Sequence, residues 1–227
     1  MALILSLETS TQVCSVAAHH SGKLISTIEV HQENAHASKL AVIIDRLFSE
    51  NHIHPTQLQA IAISSGPGSY TGLRIGTSTA KGLCYALNIP LLSLDTLEIL
   101  AYQFANDVTF SGWLCPMLDA RRDEVYCRLV DPSNTNGQPL QAKVIEPTSY
   151  QQELDQMPIA FFGNGAAKCR EIIKHSNAHF FQGIYPQASA LGELAILKWK
   201  KQQTEDLTTF EPHYLKEFVA KTPRTIF

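Results

Sequence analysis

No two cysteines in this chain stand in a CxxC spacing. The five present (Cys14, Cys84, Cys115, Cys127 and Cys169) are odd in number and scattered. That excludes a disulfide framework or a zinc site and assigns them mostly to the core of a reduced protein. Excess basic charge is missing too. With 18 Lys+Arg against 21 Asp+Glu the net charge is −3, so no global field recruits nucleic acid. No apolar run approaches the length of about 20 residues that spans a bilayer. The opening MALILSL is too short for a signal segment and meets Glu8 at once. A soluble, cytoplasmic chain without membrane attachment is the expectation. The patterns GxxxxGK[ST], GxGxxG and GxSxG are all missing, which removes a P-loop, a dinucleotide fingerprint and a hydrolase elbow.

What is present is 227 residues, enough for one large domain or two small ones. The chain is organised around residues 61–100. Ile61-Ala62-Ile63 reads as a buried strand, Gly66-Pro67-Gly68 breaks it, and a helical pattern runs on to about Leu87. In that helix Gly72, Gly76 and Ala80 recur every four residues, leaving one side almost without side chains. Helical glycine costs up to about 1 kcal/mol relative to alanine, so this side predicts close packing, against either the chain's own sheet or a partner helix. Leu73, Leu83 and Leu87 lie near it, and Arg74, Ser78, Lys81 and Tyr85 make a polar stripe elsewhere.

In order, alternation predicts strands over residues 3–7, 13–18 and 24–30 and a helix over 37–49 carrying Leu40, Ile43, Ile44, Leu47 and Phe48 on one face. A strand over 58–64, the helix just described, a strand over 91–94 and a helix over 96–105 follow. The second half repeats the order. Strands are expected over 113–118, 125–130 and 142–145, with a turn-rich loop at 131–137. A short helix from Ser149 comes next, then a strand at 159–162, a helix opened by Gly163-Asn164-Gly165 and running to Ile173, and a strand over 178–181. The last long helix spans 189–200. The pattern predicts α/β architecture with a duplicated βββαβα unit. One lobe occupies residues 1–107, joined by the C-terminal helix at about 187–203 and the tail to 227, and a second lobe occupies 108–186.

Each lobe places a polar turn after its first strand: Glu8-Thr9-Ser10-Thr11 in one, Asp119-Ala120-Arg121-Arg122 in the other. Two such lobes resemble the two-lobed actin/hexokinase/sugar-kinase (ASKHA) fold, whose facing turns hold ATP phosphates. Hydroxyls and forked guanidinium groups suit phosphate; they also cap ordinary hairpin turns.

ILSLETST, SSGPGSYTGLRIGTSTAKGL, LDARRDEVY and EPHYLKEF together resemble the bacterial TsaB (YeaZ) family over nearly the whole chain. That family supplies the non-catalytic partner in threonylcarbamoyladenosine modification of tRNA. Its catalytic paralogue, TsaD, carries a related block followed by a His-x-x-x-His pair that binds metal. Gly66-Pro67-Gly68, Ala80-Lys81 and Pro90-Leu91 match that block, but Thr96 and Leu100 stand where the imidazoles are needed. Leucine has no lone pair for a metal.

The resemblance therefore implies a scaffold with no catalytic residue and no metal site of its own. ATP and metal belong to the partner complex. The partners implied are a TsaD-type paralogue and a TsaE-type ATPase, with tRNA met only through the complex and a homodimer formed when the chain is alone. Partner contact is expected through Leu40, Ile43, Ile44, Leu47, Gly72, Gly76, Thr79, Ala80 and Leu83. Thr9, Ser10, Thr11, Asp119 and Arg121 are expected to be vestigial phosphate turns. The competing class is an ATP-dependent kinase or ATPase using Glu8, Asp119 and Asp123 as carboxylates, and the superfamily's glycoprotease label is a further alternative. His19, His20, His31, His36, His52 and His54 are expected in loops or at helix edges, in surface or capping roles.

Overall fold

The computed structural model describes residues 2–32, 36–131 and 138–216. The first lobe holds β1 (Leu3–Glu8), β2 (Val13–His20), β3 (Lys23–His31), α1 (His36–Glu50), β4 (Ala60–Gly66), α2 (Tyr70–Leu87) and β5 (Leu91–Asp95). They make a five-stranded sheet in the order β3-β2-β1-β4-β5. β1 is antiparallel to β2 and parallel to β4, with Leu7 opposite Ile63. Alternation explains why β1 is central. Leu3, Leu5 and Leu7 face α1 and α2, while Ile4 faces the other side.

After α3 (Thr96–Asp107) come β6 (Trp113–Asp119), β7 (Glu124–Cys127), β8 (Gln141–Val144), α4 (Gln151–Leu154), β9 (Ile159–Phe162), α5 (Ala166–Cys169), β10 (Ala178–Phe180) and α6 (Ala188–Lys200). The second sheet runs β10-β9-β6-β7-β8, the first lobe's connectivity repeated with β6 in the place of β1. The duplicated βββαβα order of a two-lobed ASKHA fold is what the chain adopts.

Each lobe's last helix packs on the sheet of the other lobe. α6 covers the first sheet, where Leu191, Leu194 and Ala195 meet Ile4, Ala62 and Leu92. α3 turns Leu97, Leu100 and Phe104 toward Leu114, Leu118 and Phe162 of the second lobe, with Phe104 stacked on Phe162 at 4.0 Å between centroids. A boundary at residue 107 thus separates the two sheets, yet α3 buries these side chains in the second.

The helix expected to run to Ile173 stops at Cys169 and gives way to turns. His19 and His20 close β2 instead of sitting in a loop. His19 is wholly buried, and His36 at the start of α1 nearly so. The cysteines are free and buried. From residue 132 on, the turn-rich loop lies outside the described residues, as do Glu217 and Phe218 of the tail motif. Among the described residues no helix is long and apolar enough to cross a membrane.

Candidate functional site

The β1–β2 turn is closed by α2. Ser69 caps that helix by accepting from the Gly72 amide at 3.3 Å, and its own N–H donates to the Ser10 carbonyl at 2.6 Å. The helix lies so near that side chains are excluded. A Cβ added at Gly72 would stand 2.1 Å from the Thr9 carbonyl oxygen; at Gly76 it would stand 2.2 Å from Thr9 Oγ1; at Gly68, 2.4 Å from the Ser10 carbonyl oxygen.

The expectation of partner contact through Gly72, Gly76 and Ala80 is therefore corrected in favour of packing within the chain. Thr9 of the same chain occupies Gly72 and Gly76, and Ala80 is buried in the first lobe's core. Leu40, Ile43, Ile44 and Leu47, also expected at the partner contact, are buried in that core too. Thr79 and Leu83 are half-buried. The apolar surface left uncovered on this side is different: Val42 is 58% exposed and Tyr85 86% exposed, on helices that pack side by side. The sequence signal for Val42 is an apolar residue off the α1 stripe; Tyr85 stands in a stripe that reads as polar.

Glu8, Thr9, Ser10 and Thr11 are all buried. Glu8 Oε1 accepts from the Ser10 amide at 2.7 Å. Burial pushes the Glu8 carboxyl up to about 7, against the lowering effect of the Ser10 amide bond. The second lobe's turn is open by contrast, with Asp119 and Arg121 exposed. Arg121 (φ 66°) and Arg122 (φ 52°) both occupy the left-handed region, which costs non-glycine residues on the order of 1–3 kcal/mol each. Lys168 Nζ ties this turn down by donating to Asp119 Oδ1 at 2.5 Å and to the Arg122 carbonyl at 2.9 Å, and the Asp119 amide donates to Asn164 Oδ1 at 3.0 Å. Asn164 and Lys168 are site residues that sequence reasoning misses, although the Gly163-Asn164-Gly165 turn itself is legible.

The two turns do meet. Ser10, Thr11, Asp119, Arg121 and Asn164 line one cleft of about 350 Å³, with His36 at its wall. Thr9 is not part of it, because its side chain points into α2. Burial holds the His36 imidazole below the usual range and so disfavours a second cation there.

At the start of α3, Asp95 Oδ1 caps the Leu97 and Glu98 amides at 2.8 and 3.0 Å. Thr96 is fully buried, and Leu100 Cδ2 would lie 2.8 Å from a Cβ at Gly163. The position that would have to hold a metal ligand is thus a hydrocarbon contact between the lobes. Among the described residues no group of three or more His, Cys, Asp or Glu is placed to hold an ion, so these residues do not fit one.

The tail finishes the surface. Leu207 and Phe210 pack on the first lobe's core, and Lys81 Nζ donates to the Phe210 carbonyl at 3.1 Å. The His213 amide donates to the Ser65 carbonyl at 2.6 Å, Tyr214 packs on Tyr70 with centroids 4.9 Å apart and planes tilted by 42°, and Lys216 pairs with Glu124 of the second lobe.

Comparison with known proteins agrees with this geometry. The family model described as TsaD, tRNA N6-adenosine threonylcarbamoyltransferase, matches residues 23–224. The tRNA threonylcarbamoyladenosine biosynthesis protein TsaB of Bacillus subtilis (strain 168) is 28% identical, over 94% of this chain and 93% of that one. The solved structure of YeaZ from Pseudomonas aeruginosa superposes with a TM-score of 0.82 at 27% identity, covering 95% of this chain and all of that one. A 2-hydroxyisocaproyl-CoA dehydratase activator from Clostridium difficile, solved with bound ADPNP, is 7% identical with a TM-score of 0.53 over 88% and 97% of the two chains, a likeness of fold alone. The chain belongs to the TsaD family, on its TsaB (YeaZ) branch.

Proposed function

We propose that this chain is a non-catalytic subunit for tRNA threonylcarbamoyladenosine biosynthesis, pairing in the cytoplasm with a TsaD-type catalytic paralogue. One observation carries the reading: Leu100, at the place of an imidazole in the catalytic pattern, packs on Gly163. The chemistry then belongs to the complex. ATP, metal and a TsaE-type ATPase are supplied there, and this chain provides a surface. The outward faces of α1 and α2 are that surface, with Val42 and Tyr85 at its centre and Thr79 and Leu83 at its border. Two copies of the chain use the same faces for a homodimer when no partner is present.

The test is calorimetric titration of the chain with its TsaD-type partner. Val42→Asp combined with Tyr85→Asp should weaken pairing tenfold or more, about 1.4 kcal/mol or above. Urea stability should move by no more than about 0.5 kcal/mol per site, as for exposed positions. Unchanged pairing would put the interface elsewhere.

The cleft between the two turns favours a second reading, an ATP-binding protein. We propose instead that the turns are relics in the isolated chain, because Lys168 is spent on Asp119 and Arg121 is the remaining cation among the residues lining the cleft. A micromolar dissociation constant for ATP with this chain alone would reverse that choice.

A further inference from the structure

Far from the cleft, at the opposite end of the first sheet, cations collect without acids to match. Residues 9–28 contain no Asp or Glu but carry His19, His20 and Lys23. Residues 194–204 likewise contain none but carry Lys198, Lys200 and Lys201. The fold brings these two stretches together. The turn between β2 and β3 lies against the last turns of α6, with a Cβ at Gly22 only 3.7 Å from Ile196 Cγ2. Ile196 and Lys200 are one helical turn apart and share a face.

Lys23, Lys200 and Lys201 are exposed and Lys198 is half-buried. None of the four side chains makes an ion pair or hydrogen bond among the described residues. The next acids along the chain bond neutral donors rather than these lysines. Glu205 accepts from Ser93 Oγ at 2.5 Å, and Asp206 accepts from the Thr208 and Thr209 amides. A helix C-terminus favours a cation in its last turn, but that effect does not account for Lys23 on a neighbouring hairpin. The second lobe offers a contrast. Its basic group of Arg170, Lys174 and His175 is largely neutralised, with Lys174 on Glu171 at 3.0 Å and His175 on Asp155 at 3.3 Å.

We propose that Lys23, Lys198, Lys200 and Lys201 form a contact surface for the phosphate backbone of RNA. Unpaired ammonium groups on an otherwise acidic protein are a local attraction for a polyanion. Their number and spread suit backbone contact rather than base reading. The choice of RNA among polyanions rests on the function proposed above, in which tRNA is the substrate of the complex. The surface goes beyond that reading, because it has this chain touch the tRNA itself.

The probe is an in vitro transcribed tRNA titrated with the full chain alone, so that the result does not depend on pairing. Binding should fall in the non-specific range, about 10⁻⁴–10⁻⁶ M near physiological salt. The triple variant Lys198→Gln/Lys200→Gln/Lys201→Gln should bind about tenfold or more weakly at low salt. It should also flatten the slope of log affinity against log salt, by about one for each phosphate-bound lysine removed. A control variant removes three charges elsewhere, Lys39→Gln/Arg170→Gln/Lys174→Gln, and should leave both quantities near wild type. Equal losses in the two variants, no tRNA binding by the wild-type chain at about 50 mM salt, where phosphate contacts are strong, or lysine-dependent binding to phosphatidylserine vesicles but not to tRNA would each overturn the proposal. Partner titration of the triple variant separates the two readings: pairing that survives while tRNA binding ignores the lysines sinks this surface and leaves the subunit reading standing.

Discussion

In the first lobe an eighteen-residue helix roofs the turn after β1; in the second, the equivalent turn after β6 faces a helix of four residues. Strand order and connectivity are otherwise the same. The consequence is chemical. Under α2, Glu8 loses its water and its carboxyl rises to about 7, while Asp119 stays exposed and meets Lys168. Arg121 and Arg122 remain outside, held at positive φ by the hairpin. One topology has thus produced a dry, glycine-lined turn and a wet, charged one. The helix over the turn, eighteen residues in one lobe and four in the other, goes with that difference.

The sharpest way to break this comparison is Gly76→Leu. With Thr9 Oγ1 in the space of the first added carbon, the substitution should destabilise the chain at or beyond the upper end of the usual overpacking cost of about 1–3 kcal/mol. Urea unfolding of the isolated chain measures it. A folded variant of unchanged stability would mean that α2 does not seat on the turn.

Next in size is Glu8→Gln. The Glu8 carboxyl titrates at about 7 in the folded chain and at its ordinary value of 4.5 when unfolded. Between those values the folded state binds the extra proton, so stability is fully present below 4.5 and falls as pH rises toward 7. Glutamine removes the penalty and should stabilise the chain at about pH 8 by on the order of 3 kcal/mol, with little effect at about pH 4. His19, held below 6.5 by burial, has the opposite sign and costs stability as pH falls. The comparison should therefore use Glu8→Gln against wild type at each pH. A pH-independent difference would mean that Glu8 is not desolvated.

The smallest effect is expected at Gly82, which has no heavy atom within 4 Å of an added Cβ and lies on the outer side of α2. Gly82→Ala should stabilise the chain by up to about 1 kcal/mol from helix propensity. Thermal unfolding of Gly82→Ala beside Gly76→Ala compares the exposed and buried sides of one helix directly; equal shifts would erase the distinction.

Much of this architecture is legible in the sequence because burial leaves periodic marks. Leu3, Leu5 and Leu7 alternate, and Leu40, Ile43, Ile44 and Leu47 keep helical spacing, so the strand and helix order can be read from residue types. The small-residue side of α2 is legible as a demand for close approach. What makes that approach is not, because a glycine does not encode its neighbour, and Thr9 lies far away in sequence. His19 is misplaced by sequence reasoning because a His-His-Ser-Gly run resembles a turn, whereas the first histidine is tucked beside Gly192 of α6. The helix after Gly163-Asn164-Gly165 is shorter than its pattern suggests, since a glycine turn marks a beginning and nothing in its chemistry fixes an end.

The position of α6 also sets an order of assembly. One side of the first sheet is covered by Leu191, Leu194 and Ala195, residues made only after the whole second sheet has been translated. Until then Ile4, Ala62 and Leu92 have beside them only Ile99 and Tyr102 of α3, and the long chain segment between must close as a loop before α6 covers the rest. During synthesis the first lobe is therefore a half-covered sheet waiting for its far end. A ribosome-stalled chain ending near residue 186 should show that face to chaperones, and one extended through α6 should hide it.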